Sequence, residues 1–161
     1  MTACSVIAII ISFISLAVSV IHWIYDHIRE KPKVKITLNG YLPVIKSRSC
    51  TQLAIFSIII DNQSKLDIAI NRLYLTYKGI KLTFEHHQDI YTSSSGSKYT
   101  SAELPLKIPT MCSHEGYFFL YGDTGIDLYD LSNSPFVISM TTSRGNVPEF
   151  AFEKVKPIVN L

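Results

Sequence analysis

The sequence predicts a mainly β protein in which one N-terminal transmembrane α-helix precedes an antiparallel β-sandwich of immunoglobulin-like type. A 23-residue run at 3–25 carries no formal charge within a chain of 161 residues. From residue 33 onwards, apolar and polar residues alternate with the period of two that half-buried strands show. Turn residues then separate seven or eight short apolar segments, a spacing typical of a sandwich, with a small barrel as the alternative.

The N-terminal run is long enough to cross a bilayer, since about 20 apolar residues span the hydrocarbon layer. We expect an uncleaved signal-anchor and not a signal peptide, because no Lys or Arg precedes the run and its apolar core is too long. Pro32 ends the helix, since the residue before a proline is disfavoured in the α conformation. The predicted parts are therefore an anchor helix over 1–31 and a β-sandwich domain over 32–161.

Basic residues flank the anchor on one side only. Arg29, Lys31, Lys33 and Lys35 follow the apolar run, and none precedes it. The positive-inside rule therefore predicts a single-pass protein of the cytoplasmic (plasma) membrane with its C-terminal domain in the cytoplasm. The odd number of cysteines, three, also fits a reducing compartment better than a disulfide framework.

Small and polar residues recur along the anchor at steps of three and four. This stripe consists of Ser5, Ala8, Ser12, Ser15, Ser19 and His22. Such spacing is typical of the seam between paired helices, and small residues let membrane helices approach closely. The stripe therefore predicts self-association, although serines are also tolerated in anchors when their hydroxyls bond to the helix's own carbonyls.

Strands are predicted from the alternation of apolar residues in the remainder of the chain. One begins at residue 34, and a mostly buried strand covers 52–60. The next covers 67–77, where the alternation slips by one residue near Asn71 and Arg72 and so indicates a β-bulge.

The later elements are marked mainly by glycine, proline and aromatic residues. They are a tight hairpin at Lys78 and Gly79, a polar stretch over 85–101, an edge strand within 104–108, core strands over 116–121 and 136–142, a weakly helical segment over 125–131, a turn at Gly145 and Asn146, and a last apolar segment at Phe150 and Phe152.

One segment has the form of a known strand pair. Over 58–70 a buried strand ends in Asn62-Gln63-Ser64, and a turn leads to a strand that carries Ile68 and Ile70. This resembles strand pairs in small bacterial membrane-anchored immunoglobulin-like β-sandwich proteins of unassigned function, of the Gram-positive or mobile-element type. The order of anchor, Lys-Pro-Lys and β domain is similar to theirs as well. The resemblance implies a bacterial β-sandwich and carries no catalytic residues.

Motifs that carry chemistry are weak in this sequence. It contains no GxSxG nucleophile turn, no glycine-rich phosphate loop and no HExxH pair. Two clusters come nearest, a metal set of His86 or His87 with Asp89 and His114, and a calcium-like set of Asp123, Asp127 and Asp130. Both lack the ligand spacing of established sites. We therefore predict no catalytic, metal or cofactor-binding residue, and a protein that is not an enzyme.

The function predicted from these features is a membrane-tethered, non-enzymatic interaction module. Its partners would be the lipid bilayer, a second copy through the anchor, and a protein; the net charge of +2 suggests no nucleic-acid surface. Tyr91, Tyr99 and Tyr129 form a possible partner surface, because tyrosine is enriched at interfaces, although they could equally be core residues. The alternatives are an oligomeric pore-forming or membrane-perturbing effector and a metal-dependent hydrolase.

Overall fold

The computed structural model describes residues 3–29, 31–45, 52–122, 128, 131, 134–146 and 149–155. The chain divides into two compact units, Met1–Lys31 and Pro32–Leu161. The first unit contains a single helix and the second is built from antiparallel strands. The prediction of a mainly β protein with one N-terminal apolar helix is confirmed.

The N-terminal helix, α1, covers Ala3–Arg29. Within it, Val6–Asp26 has a mean hydropathy of 2.4 and is long and apolar enough to cross a membrane. At 1.5 Å per residue these 21 residues extend about 32 Å, close to the thickness of a bilayer's hydrocarbon core. Every side chain described over 6–26 is exposed.

The described part of the second unit contains eleven strands, more than the seven or eight that the sequence predicts. They are β1 Val34–Ile45, β2 Gln52–Asn62, β3 Ile68–Tyr77, β4 Ile80–Thr83, β5 Ile90–Thr92, β6 Lys98–Thr100, β7 Leu106–Ile108, β8 Ser113–Gly122, β9 Phe136–Thr142, β10 Gly145–Asn146 and β11 Phe150–Phe152. The additional strands are short, and two of them fall in the polar stretch over 85–101.

The strands form two larger sheets and one small one. The first sheet has the order β1-β2-β8. The second has the order β10-β9-β3-β4, with β11 also paired to β9 and β7 paired to β3. The strands β5 and β6 form a separate hairpin, and every pair of named strands is antiparallel.

The two larger sheets share one hydrophobic core. Phe56 of the first sheet lies 6.2 Å, between ring centroids, from Phe136 of the second. Phe84, which follows β4, meets Phe56 edge-on at 5.4 Å. All three side chains are at most 2% exposed. Edge-to-face contacts of this kind add to the stabilisation that apolar burial provides, so these rings hold the two layers together.

The other face of the first sheet carries a second, smaller core. Leu53, Ile55 and Phe119 lie on this face and are fully buried. Tyr99 of the β5–β6 hairpin packs onto them. Strand β2 is therefore covered on both faces, which explains why its sequence is apolar almost throughout and does not alternate.

Several local predictions can be compared with the structure. The register of β3 against β9 shifts between Ile70 and Arg72, which confirms the bulge. The hairpin at Lys78 and Gly79 is also confirmed, and both residues have positive φ, 48° and 80°, as tight hairpin turns require.

Of two further local predictions, one is wrong and the other lies mostly outside the described residues. The predicted turn at Gly145 and Asn146 is wrong, because the turn lies at residues 143–144 and this pair forms β10 against Thr142 and Thr141. Most of the weakly helical segment at 125–131 lies outside the described residues.

A buried asparagine joins three segments at one end of the domain. Asn62 is 1% exposed, and its Nδ2 donates to the carbonyl oxygens of Leu66 (2.9 Å), Ile108 (3.1 Å) and Pro109 (2.9 Å). Its Oδ1 accepts hydrogen bonds from the backbone N–H and the hydroxyl of Ser64. The Asn62-Gln63-Ser64 triplet has the form of a glycosylation site. Its asparagine, however, has a structural role in this domain.

We predict that Asn62→Ala lowers the free energy of unfolding by about 3 kcal/mol, because it leaves buried carbonyl groups without donors. Urea unfolding of the full-length protein in detergent, followed by near-ultraviolet circular dichroism, measures the change.

The matched control is Asn39→Ala, which removes one exposed hydrogen bond, to Glu115, and should cost about 0.5 kcal/mol or less. Similar unfolding midpoints for the two variants would contradict a structural role for Asn62.

Candidate functional site

Tyrosines cluster on the outer face of the first sheet. Tyr99 lies 6.4 Å from Tyr91 and 5.1 Å from Tyr117, between ring centroids. Tyr99 is only 7% exposed, whereas Tyr91 and Tyr117 are half-buried. Tyr99 therefore belongs to the second core, and Tyr91 offers the larger contact area of the predicted pair. Tyr129 lies outside the described residues.

A polar cleft of about 380 Å³ opens beside these tyrosines. Its polar side chains come from β2, β6, β8 and the segments that flank the β5–β6 hairpin. They are Ser57, Gln88, Thr100, Ser101, His114, Glu115 and Tyr117. The volume lies within the range of about 300–1,000 Å³ that is usual for ligand sites. Of these residues, the sequence indicates only His114 as a candidate metal ligand.

Ser101 fixes one wall of the cleft. It is 2% exposed, and its hydroxyl accepts a hydrogen bond from the backbone N–H of Asp89 (2.7 Å) and donates one to the carbonyl of His87 (3.1 Å). The next residue, Ala102, donates its N–H to the carbonyl of Tyr117 at 2.7 Å. The wall is thus attached to the edge of β8 by backbone bonds, and the Ser101 hydroxyl is not a free nucleophile.

Strand β8 forms the floor of the cleft. Gly116 leaves space there, since a Cβ at this position would lie 3.1 Å from Nε2 of His114 and 3.4 Å from Cβ of Ala102. Glu115 accepts a hydrogen bond from Nδ2 of Asn39 at 3.1 Å, which orients its carboxylate. A glycine within a strand often marks a place where another group approaches the backbone closely.

A side-chain hydrogen bond connects the hairpin region to the far part of β8. The hydroxyl of Tyr121 donates to Oδ2 of Asp89. Burial, this hydrogen bond and the negative charges of Asp89 and Glu85 hold the pKa of Tyr121 well above its usual range. Tyr121 is therefore a neutral hydrogen-bond donor at physiological pH and serves to position the segment that carries Gln88.

The chemistry of the cleft suits recognition by hydrogen bonds. Its polar side chains provide hydroxyl, amide, imidazole and carboxylate groups, and none of the lining residues that the structure describes is Lys or Arg. Such a site favours an uncharged or weakly basic polar group over an anion. Across the described residues, no group of three or more His, Cys, Asp or Glu side chains is arranged to hold a metal. The calcium-like residues, Asp123, Asp127 and Asp130, lie outside the described residues.

The stripe on α1 is exposed wherever its side chains are described, at Ala8, Ser12, Ser15, Ser19 and His22. Ser12 and Ser19 donate their hydroxyl hydrogens to the carbonyls of Ala8 and Ser15, both at 2.9 Å. Nε2 of His22 lies 3.5 Å from Oδ2 of Asp26, one turn further on.

Two of the serine hydroxyls are thus satisfied within the helix. If the stripe mediates contact between two helices, we expect it to act mainly through the small size of its residues. The side chain of Ser5 lies outside those described.

Comparisons with known proteins give little further guidance. No family model matches the chain, and no curated protein matches it. Among solved structures, it is similar to the structural-genomics target SoR45, with 12% identity and a TM-score of 0.35 over 81% of this chain and 89% of that one. It is also similar to the putative ApaA protein from Bordetella pertussis, with 10% identity and a TM-score of 0.35 over 81% of this chain and 96% of that one. Neither similarity is strong enough to assign a fold or a function to this chain.

We predict that replacing Ser12 and Ser19 together with Leu weakens association between copies of the chain without preventing membrane insertion. Leucine raises the hydrophobicity of the helix but keeps two backbones apart. Replacing both with Ala should have little effect, because the hydroxyls are bonded within their own helix.

A crosslinking assay in membranes reports the change, and Ile9→Leu with Leu16→Ile is the control off the stripe. Undiminished crosslinking of the double Leu variant would show that the stripe takes no part in association.

Proposed function

We propose that this chain is a single-pass, membrane-anchored interaction module without enzymatic activity. Its β domain lies in the cytoplasm and binds a protein partner at the polar cleft, and its anchor self-associates through the stripe. The observation that carries this proposal is a preformed cleft, lined in part by the half-buried Tyr117, on a domain that directly follows a helix long enough to span a bilayer.

We further propose that the β domain is an immunoglobulin-like sandwich. In that fold, strands A, B and E share one sheet, and strands G, F, C and C′ share the other. Strands β1, β2 and β8 have the order A-B-E, and β11, β9, β3 and β4 have the order G-F-C-C′. The strand order therefore supports the proposal. One difference is that β7 pairs with β3, whereas strand D of that fold lies beside E.

A protein partner suits the cleft for two reasons. First, its rim residues Gln88, Thr100 and Glu115 are exposed, so a side chain presented by another protein can reach them. Second, the half-buried Tyr117 lines the cleft, and tyrosine combines a large apolar area with a hydroxyl that can form hydrogen bonds at an interface. A polar side chain entering the cleft would meet the Glu115 carboxylate while its neighbours covered Tyr91 and Tyr117.

We predict that a photoreactive amino acid at Thr100 of the full-length protein forms an adduct with a second, different protein in native membranes. Glu115→Ala should reduce this adduct at least fivefold, because the cleft loses its one carboxylate. Quantitative immunoblotting and mass spectrometry measure the adduct.

Two controls separate the cleft from the rest of the surface. A photoreactive group at the exposed Lys81, on the second sheet, should not yield the same adduct. Glu103→Ala removes an exposed carboxylate that is not among the lining residues, and should leave the adduct unchanged. The proposal fails if Thr100 forms adducts only with copies of the same chain, or if both Glu variants reduce the adduct equally.

A further inference from the structure

Four segments of the β domain meet at the end where the chain enters it. We call this the basic end and define it as residues 33–35, 61–68, 107–113 and 143–144. The backbone N–H of Gln63 donates to the carbonyl of Lys33 at 2.8 Å, and the N–H of Asn62 donates to the carbonyl of Cys112 at 2.9 Å. Nε of Arg144 donates to the carbonyl of Asp67 at 3.1 Å. The basic end is therefore one continuous surface.

An apolar side chain lies exposed on this surface. Met111 is 73% exposed, the largest value among the large hydrophobic side chains identified as exposed. Its φ of 54° is uncommon for a residue with a Cβ, so the surrounding turn must hold this conformation.

Thr110, the preceding residue, provides that support. Its N–H donates to Oδ1 of Asp67 at 3.0 Å and its hydroxyl donates to the carbonyl of Ser64 at 2.8 Å. The turn is thus bonded to the interior of the domain while its apolar side chain stays in solvent.

Positive charge predominates on the surface that carries Met111. The basic end contains five cations and two carboxylates, a formal charge of 5 − 2 = +3. They are Lys33, Lys35, Lys65, Lys107, Arg144, Asp61 and Asp67. Nζ of Lys107 lies 3.5 Å from Oδ2 of Asp67, with its side chain 73% exposed, so this lysine still faces solvent. The whole chain has a net charge of only +2, so the positive charge is concentrated here.

The covalent connection between this surface and the anchor is short. Only residues 27–32 separate Asp26, where the apolar stretch ends, from Lys33 at the basic end. The seven steps from Asp26 to Lys33 cover at most about 25 Å, the length of the fully extended chain. Polybasic segments this close to a membrane are attracted by anionic headgroups, and apolar side chains next to them insert at the interface.

We propose that the basic end is a lipid-contact surface, with Met111 inserted at the boundary between headgroups and acyl chains and the surrounding cations on anionic headgroups. This explains why a methionine is held exposed in a supported, uncommon backbone conformation. The surface would fix the orientation of the β domain on the membrane. The inference rests on the membrane anchoring in the proposed function.

The test uses the full-length protein reconstituted into vesicles of phosphatidylcholine, with or without 30% phosphatidylserine. Met111→Trp is placed in a Trp23→Phe background so that it is the only tryptophan. Fluorescence quenching by lipids brominated near the headgroup then reports insertion. The control is Ile90→Trp in the same background, since Ile90 is 63% exposed and lies outside the basic end.

We expect quenching of Met111→Trp to exceed that of Ile90→Trp at least threefold in the anionic vesicles, and to fall at least twofold without phosphatidylserine. Replacing Lys33 and Lys65 with Gln should abolish the increase that phosphatidylserine causes. Replacing Lys81 and Lys98, which are exposed elsewhere on the domain, should preserve it.

Flotation of the vesicles distinguishes a failure of membrane anchoring from a failure of the lipid-contact surface. If the protein floats with the vesicles but Met111→Trp is quenched no more than Ile90→Trp, anchoring stands and the lipid-contact surface is wrong. If quenching is strong but independent of phosphatidylserine and of the lysines, the role of the cations is wrong. If the protein does not float with the vesicles, both the anchoring and this inference fail.

Discussion

The hydrogen bonds of Asn62 are the constraint on which the β domain most depends. A single buried amide connects the end of β2 to the loop before β3 and to the turn between β7 and β8. Strand β2 belongs to the first sheet and β3 and β7 to the second, so this residue joins the two layers at one end. The aromatic contacts of Phe56, Phe84 and Phe136 join them in the interior. Asn62 also holds the turn that carries Met111. The hydrogen bonds of Asn62 therefore help to determine the shape of the basic end.

Much of the fold could be predicted from periodicity and turn residues, because the longer strands have one buried face or are buried entirely. The β5–β6 hairpin could not be predicted in this way. Among its six strand residues only Tyr99 is buried, so no alternation is visible over the polar stretch. The turn at 143–144 was missed for a related reason. Glycine and asparagine are strong turn residues by composition, but at 145–146 they instead pair with the end of β9.

The candidate site was harder to predict than the fold, because the cleft brings together residues from β2, β6, β8 and both flanks of the hairpin. Only the register of the first sheet places Ser57 opposite Tyr117. Two signals were nevertheless present in the sequence. Ser57 is the one hydroxyl within the apolar run 53–60, and Gly116 stands between the polar start of β8 and its aromatic run. The tyrosines are predicted as a partner surface from residue type alone. The burial of Tyr99, however, depends on which face of the sheet the hairpin covers.

The central claim is that the β domain lies on the cytoplasmic side of a membrane that α1 crosses, and Cys112 provides a direct test of it. Cys112 is free and exposed on the domain. We expect a membrane-impermeant maleimide to label the protein and its Cys112→Ser variant equally in intact cells. After permeabilisation, the protein that keeps Cys112 should gain one label more than the variant does. Labelling that depends on Cys112 in intact cells would place the domain outside and contradict the account.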